Sequence, residues 1–102
     1  MKLINTTNSS SILVQNQLAH TDAFLVETYS AGNTDVIFTQ APSHYEILIS
    51  NKYRAVQEPE IVKIRDYFLK RKIDTSTINP AGIQTIHTDR LIEMSIPIVE
   101  AI

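Results

Sequence analysis

The order of apolar and polar residues predicts strands in the first half of the chain. Three segments alternate with the period of two that is typical of a half-buried strand: residues 23–30, 36–40 and 45–50. Gly32-Asn33 and Pro42-Ser43 separate these segments, and such short connections favour antiparallel neighbours. We therefore predict an antiparallel meander. After a turn or bulge at Asn51-Lys52, residues 53–56 are predicted to continue the sheet.

A helical pattern begins where this alternation ends. Pro59 lies between Glu58 and Glu60, a composition favoured in the first turn of a helix. Apolar residues then recur at spacings of three and four, as Ile61, Ile64 and Phe68. The basic segment 70–72 closes the pattern, where cations complement the helix dipole. The sequence predicts one helix over about 58–72.

The remaining segments complete an α+β prediction. Residues 74–82 are predicted to be a loop, residues 83–87 a strand, and residues 91–102 a C-terminal strand region. Five apolar residues of that region lie at even-numbered positions, as on one face of a strand: Ile92, Met94, Ile96, Ile98 and Ile102. Pro97 has the other parity and predicts an edge position or a break. Near the start, residues 5–11 are predicted to be a polar loop or arm, and Ile12-Leu13-Val14 a short strand.

Composition narrows the class of protein. The 102 residues correspond to one domain, predicted to span 1–102. There is no cysteine, which excludes disulfides and thiolate metal sites. The formal net charge of −2 gives no general attraction for nucleic acid, so a nucleic-acid partner is not expected. No apolar run is long enough to cross a membrane, and Lys2 is followed by only two apolar residues, so we expect a cytoplasmic protein.

A repeated tripeptide is the first candidate for chemistry. His20-Thr21-Asp22 and His87-Thr88-Asp89 each place an imidazole and a carboxylate two residues apart, on one side of a strand. If the two pairs meet, His20, Asp22, His87 and Asp89 form a metal-binding set, or His20 and His87 act as catalytic acid and base. The alternative is a chance repeat whose Thr and Asp side chains cap turns. No cofactor is expected.

Ligand-binding candidates come from the predicted helix and sheet. Arg65 lies inside the apolar stripe, and Lys72 continues that line one heptad further. Arg65 is expected to pair with Glu27 or Glu46, to bind an anion or partner, or to extend its head to water. Tyr45 is the aromatic candidate on the sheet.

A serine and a histidine are adjacent at residues 43–44. Neighbouring residues rarely achieve the geometry of a nucleophile and its base, and an orienting acid would have to come from elsewhere. We therefore expect His44 to be an exposed turn residue.

The balance of apolar surface favours an assembly function. Both predicted faces of the meander carry apolar residues. One face is predicted to hold Phe24, Val26, Val36, Phe38, Ile47 and Ile49, and the other Leu25, Ile37 and Leu48. One helix covers one face, so the other requires a partner. We predict a non-enzymatic protein that self-associates, as a symmetric dimer, or binds a protein through the sheet surface and the C-terminal strand. The alternative is a small enzyme or an anionic-ligand protein, for a nucleotide or phosphodiester, with a His/Asp site at a dimer interface.

Overall fold

The computed structural model describes residues 3–5 and 25–99. Within them the elements follow in this order: β1 (Ile4–Asn5), β2 (Leu25–Ala31), β3 (Thr34–Gln40), β4 (His44–Asn51), α1 (Glu58–Arg71), two short 3-10 turns (Thr75–Thr77 and Pro80–Gly82), β5 (Gln84–Thr88) and β6 (Leu91–Pro97). The predicted α+β class, with an antiparallel sheet and one helix, is confirmed. The predictions for residues 6–24 and 100–102, including the strand at Ile12-Leu13-Val14, lie outside the described residues.

The six strands form one antiparallel sheet in the order β1-β2-β3-β4-β6-β5. The C-terminal strand β6 lies between β4 and β5, so both of its edges are already paired. The prediction that β6 adds to a neighbour's sheet is therefore wrong, and the edge at this end belongs to β5. Pro97 is the last residue of β6 and lies opposite His44, which makes it a strand end rather than an edge position.

The tight turn between β2 and β3 forms as predicted. Gly32 has a φ of 63°, in the left-handed region that glycine adopts at little cost, and Asn33 follows it in the turn. The register on either side is regular, from Ala31 opposite Thr34 to Leu25 opposite Gln40.

Helix α1 packs on one side of the sheet, here called the inner face. Its buried residues are Ile61, Ile64 and Phe68. The ring of Phe68 stacks on Phe38 at 4.7 Å between centroids and meets Tyr29 edge-on at 5.2 Å. The strands contribute a continuous apolar layer to this core: Tyr29, Val36, Phe38, Tyr45, Ile47, Ile49, Ile92, Met94 and Ile96.

The pairing register of β2 with β3 shows that the two faces of β2 are the reverse of those predicted. Val26 is predicted to share a face with Val36 and Phe38, but it lies opposite Thr39, whereas Phe38 lies opposite Glu27. Leu25 is predicted on the other face, but it lies opposite Gln40, on the side of Phe38. Val26 therefore belongs to the opposite side of the sheet, here called the outer face, and Tyr29 takes the inner position on β2. Because side chains alternate, the pairing register decides this placement.

The prediction that residues 53–56 continue the sheet is wrong. The side-chain oxygen of Asn51 accepts hydrogen bonds from the backbone N–H groups of Tyr53 (2.9 Å) and Arg54 (3.1 Å). This local turn competes with a strand ladder. The N–H of Val56 then donates to the carbonyl of Asp89, which ties this loop to the turn between β5 and β6.

A polar network joins β3, β4 and the start of α1. The Glu60 carboxylate accepts hydrogen bonds from both terminal nitrogens of Arg54, at 2.6 and 3.0 Å, and from the Thr34 hydroxyl at 3.1 Å. It also accepts from the backbone N–H of Gln57, and the Asn51 amide donates to Thr34. The Arg54 hydrogen bonds dominate and lower the pKa of Glu60 from 4.5 to about 2.

Candidate functional site

The structure describes half of the predicted His/Asp set. His20 and Asp22 lie outside the described residues. His87 lies on β5 opposite Ile92, and Asp89 lies in the following turn with a φ of 35°; both side chains are exposed. Among residues 3–5 and 25–99, no three His, Cys, Asp or Glu residues are arranged to hold a metal ion.

The predicted cations occupy different environments. Arg65 donates from two guanidinium nitrogens to its neighbour Asp66, each at 3.2 Å. Lys72 lies 3.3 Å from the Glu27 carboxylate, which also accepts a hydrogen bond from the Tyr29 hydroxyl at 3.0 Å. Lys72 therefore pairs with one of the two acids that were expected beside Arg65. Burial, together with the hydrogen bond to Glu27, raises the pKa of Tyr29 well above its ordinary value.

Tyr45 belongs to the core. It is 3% exposed, its ring stacks on Phe38 at 5.9 Å, and its hydroxyl accepts a hydrogen bond from the backbone N–H of Asp74. These contacts leave little of the ring for a ligand at the surface. Its side chain fixes the segment after α1 against the sheet.

A chain of polar side chains runs from Ser43 onto the start of β4, so His44 is a strand residue rather than the predicted turn residue. The Ser43 hydroxyl lies 3.0 Å from Nδ1 of His44, and Nε2 of His44 lies 3.5 Å from Glu46. This carboxylate was not among the predicted site residues, although His44 and Glu46 are two residues apart on one strand and must share a face. His44 is half-buried rather than fully exposed, because these contacts and the sheet hold its ring.

The outer face carries an apolar area that α1 does not cover. Ile37, Leu48, Ser50, Leu91 and Glu93 line an open cavity of about 260 Å³. Ile86 adjoins this cavity because it lies opposite Glu93 in the register. These six residues are here called the open patch, and Glu93 is its one charged member. Ile86 is 61% exposed and Leu91 is 39% exposed, whereas Thr39 on the same face is 1% exposed.

The open patch continues to the edge of the sheet. β5 is hydrogen-bonded to β6 and, among the described strands, is the last in the sheet order at this end. All five of its residues are exposed. The arrangement combines an apolar surface with an adjacent row of backbone donors and acceptors, which suits contact with another protein.

Comparisons with known proteins identify the family and the fold. A family model described as "Domain of unknown function (DUF1827)" matches residues 1–97. No curated protein matches the chain. Among solved structures, the chain is similar to a conserved protein of unknown function from Streptococcus thermophilus LMG 18311, at 63% identity and a TM-score of 0.88. The match covers 98% of this chain and 99% of that one.

Proposed function

Since the chain belongs to the DUF1827 family, whose description assigns no activity, we propose a function from the geometry: a cytoplasmic assembly protein that associates with a second copy of itself through the outer face. The observation that carries this proposal is the open patch. Helix α1 covers the inner face, and exposed apolar side chains remain on the other. Among residues 3–5 and 25–99, no helix is long and apolar enough to cross a membrane.

The size of the chain and the charge of the patch both favour a second copy as the occupant. A chain of 102 residues buries a modest core, and association adds stability that such a core lacks. The patch has one carboxylate, Glu93, which lies between Leu48 and Ile86 in the register, so two patches that face each other oppose like charge at this one position only. A two-fold axis then places the same residues on both sides of the contact, as in most homodimers.

Sedimentation equilibrium tests this proposal directly. The wild-type protein is expected to sediment above the monomer mass at micromolar concentration. Leu91→Glu puts a carboxylate into the patch without disturbing the core, and we expect it to weaken this association at least tenfold, about 1.4 kcal/mol. Tyr53→Glu is the matched control, because Tyr53 is also apolar and exposed, at 73%, but lies in the loop after β4.

Two outcomes would contradict the proposal. One is a wild-type protein that remains monomeric from micromolar to millimolar concentration. The other is an equal response of the Leu91→Glu and Tyr53→Glu variants, which would make the effect one of general surface polarity rather than of the open patch.

A second candidate function is a His/Asp site between copies. It is supported by the exposure of His87 on β5 and of Asp89 in the turn that follows, at the end of the sheet, with His87 on the same side as Ile92. Addition of Zn²⁺ should then raise the melting temperature of the wild-type protein, and His87→Ala or His20→Ala should abolish that rise. An unchanged response to Zn²⁺ in the double variant would exclude this site.

A further inference from the structure

β5 lacks the features that normally protect an edge strand. Exposed edges are usually blocked by lysine, proline, a bulge or a very short length. The sequence of β5 is Gln84-Thr85-Ile86-His87-Thr88, with no proline and no charged side chain at neutral pH. Its register with β6 is unbroken over five residue pairs. At the other end of the described sheet, β1 is only two residues long.

The hairpin geometry shows which backbone groups of β5 face outward. Asp89 and Arg90 form a two-residue turn between β5 and β6, closed by the pair Thr88–Leu91. The closing pair of such a turn normally exchanges both of its hydrogen bonds, and hydrogen-bonded and non-hydrogen-bonded pairs alternate along an antiparallel ladder. Thr85 and His87 therefore direct their N–H and C=O groups away from β6.

We propose that the β5 strands of two copies pair in antiparallel orientation about a two-fold axis at Ile86. Thr85 of each copy then lies opposite His87 of the other and exchanges backbone hydrogen bonds with it. Ile86 faces Ile86 in a non-hydrogen-bonded pair, the arrangement in which side chains approach most closely. Gln84 of each copy lies opposite Thr88 of the other. Every opposed pair is uncharged, so like-charge repulsion does not oppose this register.

This edge contact extends the proposed function to a larger assembly, and in that respect it rests on it. Pairing through β5 joins two six-stranded sheets and leaves both open patches on the same side. The edge axis is perpendicular to the sheet, whereas a face-to-face contact has its axis parallel to the sheet. Two perpendicular two-fold axes that intersect generate a closed tetramer, so edge and face contacts whose axes meet predict four copies.

Cysteine crosslinking tests the register. The chain has no cysteine, so single substitutions give one reactive position per copy. Ile86→Cys is expected to form an intermolecular disulfide with oxidised glutathione, because opposed Cα atoms in a non-hydrogen-bonded pair are about 4.5 Å apart, within disulfide range. Gln84→Cys and Thr88→Cys should each fail alone and crosslink when mixed. Tyr53→Cys is the control for collisional crosslinking.

Sedimentation of matched variants separates the two contacts. Leu91→Glu is expected to leave an edge-paired dimer that still crosslinks through Ile86→Cys. Thr85→Pro removes an outward N–H without removing a bond to β6, and should leave a face-paired dimer with native circular dichroism. A wild-type assembly in which Ile86→Cys does not crosslink would overturn the edge contact and leave the proposed function standing. If Ile86→Cys crosslinks but Leu91→Glu does not change the mass measured by sedimentation, the edge contact stands and the proposed association through the open patch is wrong.

Discussion

Single residues connect the secondary-structure elements of this protein through charge and hydrogen bonding. Glu60, in the first turn of α1, receives hydrogen bonds from Arg54 in the preceding loop and from Thr34 on β3. Thr34 and Asn51 are buried, so their polar groups depend on each other and on this carboxylate for partners. The network fixes the entry of the helix relative to the sheet.

Glu60→Gln is expected to lower the free energy of unfolding by about 1 to 2 kcal/mol at neutral pH, because charge-assisted hydrogen bonds become neutral ones. The pKa of Glu60 is lowered from 4.5 to about 2 in the folded state. The stabilisation is therefore fully present above about pH 4.5 and is lost as the pH falls through 2. Urea unfolding of both proteins across this range should show their stabilities converging towards pH 2. A difference that stays constant with pH would contradict the assignment.

At the scale of elements, α1 is stabilised by the one side of the helix that packs on the sheet. Ile64 is fully buried, whereas its neighbour Lys63 is exposed. We expect Ile64→Ala to destabilise the protein by about 2 to 5 kcal/mol and Lys63→Ala by less than about 0.5 kcal/mol. Denaturant unfolding followed by circular dichroism measures both. Equal effects would show that helix propensity, rather than packing on the inner face, holds the helix.

Local patterns predicted the elements well, and long-range pairing explains most of what they missed. The Gly32-Asn33 turn and the stripe of Ile61, Ile64 and Phe68 are properties of neighbouring residues, so the hairpin and the helix could be predicted. β6 lies between β4 and β5 because it pairs with β4, from which α1 and the following loop separate it in sequence. The alternation of apolar and polar residues within a strand does not indicate such a distant partner. The side of the sheet on which Val26 lies likewise follows from register.

The candidate site was predictable in character but not in location. Apolar residues on both faces of the sheet could be predicted, and Ile37 and Leu48 share a face as predicted. Leu25, predicted on that face with them, lies on the inner face instead. The edge at β5 was missed because a free edge depends on strand order. The role of Asn51 in ending the sheet was also missed, since it depends on a side chain turning back to its own backbone.

For the whole molecule, assembly links stability to concentration. If folding and self-association are coupled, mass action raises the melting temperature as protein concentration rises. We expect a rise of roughly 5 °C or more over about a hundredfold increase in concentration, and a smaller rise for Leu91→Glu. Differential scanning fluorimetry at several concentrations measures it. A melting temperature independent of concentration in the wild-type protein would contradict coupling between folding and association.

The position of β6 between β4 and β5 affects how the chain folds during its synthesis. β2, β3 and β4 are joined by short turns and can pair soon after they leave the ribosome, but β6 follows only after residues 52–90 have been made. Until then one edge of β4 stays open and Ile47 and Ile49 lack the neighbours that Met94 and Ile92 later provide. The nascent chain is therefore most prone to aggregation in that interval, which is when a chaperone has most to protect.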